Sequence, residues 1–88
     1  MDLVDEFKKA IDRSSSITQK PTNDELLLLY SLYKQASEGD ITGERPGGFD
    51  FKGAAKYDAW AAIKGKDQND CMSEYIKLVE KLIEKYNS

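Results

Sequence analysis

Four segments of this sequence repeat apolar residues at the spacing of one helical face, and no segment alternates with period two for long enough to predict a strand. Near the C-terminus, for example, Met72, Tyr75, Ile76 and Val79 recur at i, i+3, i+4 and i+7. With 88 residues, the chain has material for one domain with one modest core. We therefore predict a single all-α domain over residues 1–88, most simply a four-helix bundle with helices at about 2–14, 23–38, 52–63 and 68–86.

Capping residues mark the ends of these helices. Thr22 and Glu25 have the spacing of a capping box, and Gly39 is a suitable residue to follow the second helix. Asp67 is a candidate N-cap for the fourth helix. These signals predict where the helices begin and end, independently of the apolar pattern.

A long connector separates the second and third helices. Residues 39–51, GDITGERPGGFDF, contain four glycines and a proline. Connectors of this length are usually functional or disordered. Because Phe49 and Phe51 are large and apolar, we expect them to pin the end of this loop to the core.

The composition argues against several classes of function. The sequence has no histidine, which removes the commonest general base and most zinc or iron sites, and its single cysteine, Cys71, allows no internal disulfide. A net charge of −3 argues against non-specific nucleic-acid binding. No apolar run of 18 residues or signal-peptide pattern is present, so we expect neither secretion nor a membrane-spanning segment. We also expect a monomeric cytoplasmic protein with no metal, no cofactor and at most transient membrane contact.

The second helix carries more apolar surface than one core contact needs. On a helical wheel, Leu26, Leu29, Tyr33 and Ala36 form one stripe with Leu32 at its margin, and we expect this stripe to face the core.

A second face of the same helix combines Leu27, Tyr30, Ser31 and Lys34. It offers apolar surface, a phenol, a hydroxyl and an ammonium on one side of the helix. These residues are either incidental surface residues, which are common, or part of a binding site.

Lys56 and Tyr75 are polar residues within apolar patterns. Lys56 precedes Ala59, Trp60 and Ile63 on one face of the third helix, near the middle of the predicted inward stripe. Either its ammonium reaches out to water, or it faces a groove that binds an anion. The Tyr75 hydroxyl needs a hydrogen-bond partner, which the protein or a ligand can supply.

Cations are concentrated in one part of the chain. Between residues 45 and 66 there are five lysines and arginines against two aspartates, and Lys20 and Lys34 can extend this group. Lysine ammoniums bind phosphate well as point charges, and tyrosine faces stack on bases. Together with the spare leucines, these residues predict a groove for a ligand that is anionic at one end and apolar at the other.

The motifs YSLYKQASEGD and ERPGGFDFKGAAKYDAW, followed by the distal Tyr75, resemble the acyl-CoA-binding protein family along essentially the whole chain. The resemblance implies a skewed up-and-down four-helix bundle that binds long-chain acyl-CoA thioesters in an open groove without catalysis. It also implies intracellular buffering, protection and transport of acyl-CoA.

The resemblance also implies roles for individual residues. Tyr30 matches the tyrosine that packs on the adenine ring, Lys34 and Lys56 match the lysines that hold the 3′-phosphate, and Tyr75 matches a tyrosine near the nucleotide. Lys20, with Arg13 and Lys52, is assigned to the phosphate path. Leu26, Leu27 and Ile11 are assigned to the acyl groove.

The sequence departs from the family pattern at four positions. Ser15 stands where many members have a basic residue, and nearby Arg13 is the candidate replacement. Tyr57 replaces a frequent tryptophan, Ala54 a common lysine, and Ile11 a frequent alanine. The nucleotide residues are unchanged, whereas the acyl end of the groove differs.

Two alternatives belong to other classes of protein. A helical protein–protein interaction module would use the surplus leucines to bind a partner helix. A thioesterase or acyltransferase would need an activated nucleophile, and Cys71 has no histidine to activate it.

Overall fold

The computed structural model describes residues 2–87, and the described residues form four helices and no strand. The helices are α1 (Leu3–Ser14), α2 (Asn23–Glu38), α3 (Phe51–Ala61) and α4 (Gln68–Asn87). The prediction of an all-α fold is confirmed, and each predicted boundary lies within two residues of the observed one.

The four helices do not pack equally. α4 packs against both α1 and α2, whereas α3 packs only against α2. The core therefore lies among α1, α2 and α4, and one side of α3 is left facing outward. The main buried side chains of the core are Phe7, Ala10, Leu32, Ala36, Cys71, Tyr75 and Val79.

The predicted capping signals are present in the structure. The Thr22 hydroxyl accepts from the Glu25 amide, and the Glu25 carboxylate accepts from the Thr22 amide, which completes the capping box. Asp67 accepts from the Asp70 amide at 3.1 Å and so caps α4. Gly39 follows α2 with φ of 83°, a conformation that glycine adopts without strain.

The predicted core stripe of α2 is wrong in part. Leu32 and Ala36 are buried as expected, but Leu26 and Tyr33 are 37% and 39% exposed. Ser31, which we expected on an outer face, and Gln35 are buried instead. Gln35 is covered because α2 packs against α3 as well as α4, and its side chain accepts a hydrogen bond from Trp60 of α3.

Hydrogen bonds make the burial of Gln35 tolerable. Its side-chain amide donates to Asp40 Oδ1 and to the Lys66 carbonyl, each at 2.9 Å, while its oxygen accepts from Trp60 Nε1 at 3.0 Å. The Trp60 nitrogen also donates to the Gly39 carbonyl. This network fixes the indole ring of α3 against the C-terminal end of α2.

The loop before α3 is not pinned by its phenylalanines. Phe49 and Phe51 are 91% and 75% exposed, so the expectation that they anchor the loop is wrong. The loop is held instead by the buried side chain of Ile41 and by polar contacts with α3. Arg45 donates two hydrogen bonds to Asp58, at 2.9 and 3.0 Å, and the Tyr57 hydroxyl donates to the Gly43 carbonyl.

The C-terminal end of α4 is tied to the start of α2. The Glu25 carboxylate accepts from the Tyr86 hydroxyl and pairs with the Lys85 ammonium at 2.9 Å. These bonds lower the pKa of Glu25 from its usual 4.5 to about 2, with the Tyr86 hydroxyl as the largest cause.

Candidate functional site

A surface cavity of about 430 Å³ lies between α2 and α3. The side of α2 contributes Leu26 and Leu27, preceded by Lys20 from the connecting segment. The opposite wall comes from the start of α3. The cavity as a whole is lined by Lys20, Asn23, Leu26, Leu27, Phe51, Lys52, Ala55 and Lys56. None of these lining residues is acidic.

A second cavity of about 230 Å³ also has Lys56 in its wall. It is lined by the rings of Tyr30, Tyr57 and Trp60 together with residues of the 39–51 loop. The Lys56 ammonium lies 5.2 Å from the centre of the Tyr30 ring, which is cation–π distance. Lys56 thus connects an apolar cavity with an aromatic one.

Lys34 contacts the aromatic cavity through Trp60. Its ammonium lies 5.0 Å from the centre of the indole, and it also pairs with Glu38 one turn later on α2. The hydrogen bond with Glu38 is the main reason why the pKa of Lys34 is raised. Lys34 and Lys56, from two helices, therefore each lie against a ring that lines the same cavity.

The environment of Lys56 differs from the prediction made on the helical wheel. Its side chain is exposed, and Ala54 is the buried residue of α3. Because α3 packs only on α2, its inward face is narrow and Lys56 lies beside it rather than at its centre. The ammonium is thus available to a ligand without the cost of burying an unpaired charge.

Tyr75 occupies a different place from the other predicted site residues. It is 5% exposed, and its ring packs edge-on against Phe7, with centroids 5.2 Å apart. A hydrogen bond with Ser14 satisfies its hydroxyl, and burial raises its pKa. Tyr75 lines neither cavity beside α3.

Ile11 and Arg13 also lie away from the α2–α3 cavities. Ile11 packs against the core cluster, and Arg13 lines a separate space of about 250 Å³ beside α1 and α4. That space includes both acidic and basic side chains, among them Glu6, Lys9 and Glu80. The structure thus brings Lys20 and Lys52 to the groove but leaves Arg13 on α1.

Sequence and structure comparisons give a consistent family assignment. The family model described as acyl CoA binding protein matches residues 4–79. This chain belongs to the acyl-CoA-binding protein family. An acyl-CoA-binding protein of Saccharomyces cerevisiae is 49% identical over 86 residues, covering 98% of this chain and 95% of the yeast protein. One from Brassica napus is 44% identical over 84 residues, covering 96% and 91% of the two chains.

A solved structure of the same family shares the fold. The crystal structure of Oryza sativa acyl-CoA-binding protein 2 matches with a TM-score of 0.92 and 38% identity. The match covers 98% of this chain and 96% of the rice chain. The skewed helical arrangement is therefore that of the acyl-CoA-binding protein family.

Several residues that line the two cavities were not assigned to the site from the sequence, among them two large aromatic residues. Phe51 forms part of the wall of the larger cavity, and Trp60 forms part of the smaller one. The sequence did contain a signal for Phe51. Phe51, Lys52, Ala55 and Lys56 follow i, i+1, i+4, i+5 spacing, which places them on one face of α3.

Two other features, a membrane-spanning helix and a metal site, are absent from the described part of the chain. No helix within residues 2–87 combines the length and apolar character needed to cross a bilayer. Nor do these residues include a group of three or more acidic or cysteine side chains arranged to hold a metal ion.

Proposed function

We propose that this chain binds long-chain acyl-CoA thioesters non-covalently in the two cavities beside α3, and that it buffers, protects and transports them. The position of Lys56 is the observation that carries this proposal. Lys56 lines both cavities, of which the larger has leucines in its wall and the smaller has aromatic rings. Its ammonium lies 5.2 Å from the centre of the Tyr30 ring. This arrangement matches a ligand with an apolar chain and a phosphorylated nucleotide.

In the proposed complex, the adenine ring packs on Tyr30 and the 3′-phosphate is held by Lys34 and Lys56. Lysine is suited to this role because its ammonium donates to phosphate oxygens as a compact charge. Lys34 must give up part of its pairing with exposed Glu38 to reach the phosphate. Exposed ion pairs contribute little free energy, so this exchange costs little.

The acyl chain lies on Leu26 and Leu27, with Lys20 and Lys52 along the phosphate path between chain and nucleotide. Tyr75 supports this site indirectly, through the packing of α1 and α4 on α2. Full burial of a sixteen-carbon chain contributes on the order of 12 kcal/mol before association costs. Nanomolar affinity requires about 12 kcal/mol net, so a partly covered chain needs the nucleotide contacts as well.

Binding proceeds without chemical change to the ligand. Cys71 is completely buried, and burial raises the pKa of its thiol, so it remains protonated and inaccessible. We further propose that the protein acts as a cytoplasmic monomer with no cofactor and no nucleic-acid partner. Contact with membranes is transient.

Calorimetric titration with palmitoyl-CoA, coenzyme A and palmitate tests this proposal. We expect tight binding of the thioester, much weaker binding of coenzyme A and almost none of palmitate. Palmitate binding as tightly as palmitoyl-CoA would contradict the nucleotide site. An absence of heat with all three ligands would favour the alternative, a helical protein–protein interaction module.

A further inference from the structure

Phe49 and Phe51 form an exposed aromatic tip beside the larger cavity. Their side chains are 91% and 75% exposed, and their rings contact each other edge-on with centroids 6.5 Å apart. The Phe51 amide donates to the Phe49 carbonyl at 2.9 Å, so a tight turn holds the two residues together. Two large apolar side chains exposed at one point are unusual on a soluble surface and indicate an interaction site.

The surroundings of this tip are basic. Lys52 follows Phe51 directly, and Lys20, Lys52 and Lys56 line the cavity that Phe51 borders. Asp50 lies between the two phenylalanines, but its carboxylate accepts from the Gly53 amide at 2.9 Å and caps α3. The chain as a whole carries a net charge of −3, so this basic region is local.

We propose that the Phe49–Phe51 tip, with Lys20 and Lys52, docks the mouth of the larger cavity on an anionic lipid bilayer. Aromatic side chains insert among headgroups and acyl chains, while nearby lysines are attracted to anionic lipids. A stable protein partner would need to cover about 800 Å² on this side, far more than two side chains offer. A bilayer has no such requirement, because each inserted ring contributes separately.

Docking would bring the cavity to the place where an amphiphilic ligand resides. An acyl-CoA could then pass between bilayer and protein with its chain continuously covered. This consequence rests on the function proposed above. The docking itself does not depend on acyl-CoA binding, because the tip and the lysines are present in the protein without a ligand.

Co-sedimentation of the ligand-free protein with lipid vesicles tests the docking. We expect more protein to sediment with phosphatidylserine–phosphatidylcholine vesicles than with phosphatidylcholine alone. Phe49→Ala should reduce partitioning by about tenfold, since it removes one inserted ring. The variant should fold normally because the ring contacts little of the protein.

Leu28→Ala is the matched control. Leu28 is an exposed apolar residue of α2 that lines neither cavity, and its loss should leave partitioning unchanged. Equal partitioning of the wild type and Phe49→Ala, or no binding to anionic vesicles, would overturn the proposal. Acyl-CoA titration of Phe49→Ala without vesicles should give wild-type affinity, so a failure of docking and a failure of acyl-CoA binding are distinguishable.

Discussion

The ammonium nitrogen of Lys56 lies 5.2 Å from the centre of the Tyr30 ring, so a residue of α3 directly contacts a residue of α2. The contact occurs in the cavity that Trp60 also lines, and Trp60 in turn contacts Lys34. Two cations from different helices are thus positioned by two aromatic rings. Variants of Tyr30, Lys34 and Lys56 should affect ligand binding more than folding, because none of the three belongs to the buried core.

Tyr30→Ala and Lys34→Ala should each weaken acyl-CoA binding by more than tenfold. The first removes the ring proposed to stack on adenine, and the second removes a phosphate ligand. Calorimetry gives the affinities, and circular dichroism should show nearly unchanged helix. Lys81→Ala, an exposed lysine of α4, is the control. Wild-type affinity in both folded variants would mean that the nucleotide site is elsewhere.

Removal of the 3′-phosphate from the ligand should mimic the loss of the lysines. Dephospho-CoA thioesters should bind wild type about tenfold or more weakly, because they lack charge-assisted contacts with Lys34 and Lys56. Lys56→Met should bind both ligands weakly and discriminate between them less. If wild type binds the two thioesters equally, neither lysine holds that phosphate.

Leu27→Ser should reduce the dependence of affinity on acyl-chain length. Leu27 lines the larger cavity, and each covered CH₂ contributes up to about 0.8 kcal/mol. Titration with thioesters of increasing length measures this slope for wild type, Leu27→Ser and the control Leu28→Ser. A slope equal to wild type in Leu27→Ser would place the chain on another surface.

Tyr75→Phe should lower stability without changing affinity. The substitution removes the hydrogen bond with Ser14 but keeps the packing on Phe7, so we expect a loss of about 1 kcal/mol in the free energy of unfolding. Urea denaturation measures the stability, and acyl-CoA titration measures the affinity. A tenfold loss of affinity at normal stability would instead indicate direct contact between Tyr75 and the nucleotide.

Glu25 should make the protein sensitive to acid. Its pKa is about 2 in the folded protein and near 4.5 when unfolded, so its stabilising effect is complete above about pH 4.5. That effect is lost as the pH falls from 4.5 towards 2, because the unfolded state takes up a proton more readily. The difference in unfolding free energy between wild type and Glu25→Gln should therefore shrink over this range. A constant difference would show that the contacts with Tyr86 and Lys85 do not depend on the charge of Glu25.

Helix positions could be predicted because their signals are local. The capping box of Thr22 and Glu25 depends on residues three apart, and Gly39 ends α2 through its own backbone conformation. The buried face of α2 was harder to predict. Gln35 is only 1% exposed because partners from beyond the helix, including Trp60 and the Lys66 carbonyl, satisfy its amide.

The candidate site likewise combines features that the sequence predicts with features that depend on contacts between helices. Tyr30, Lys34 and Leu27 share a face of α2 by spacing alone, and the sequence motifs assign the family. The distinction between Tyr75 and Phe51 required the tertiary structure, since the sequence predicted that both aromatic residues contact the core. Tyr75 is covered because α1 packs across α4, whereas Phe51 is uncovered because α3 contacts only α2.

The amino-acid order by itself determined four helices, their ends and the residue types available for an anionic, amphiphilic ligand. Only the assembled helices decided which of these side chains border a common space and which are enclosed. Periodicity and capping act within a few residues of one segment, whereas burial depends on which segments come to lie against it. For this protein the decisive long-range fact is that α3 packs on one neighbour only, which leaves Lys56 exposed beside Tyr30.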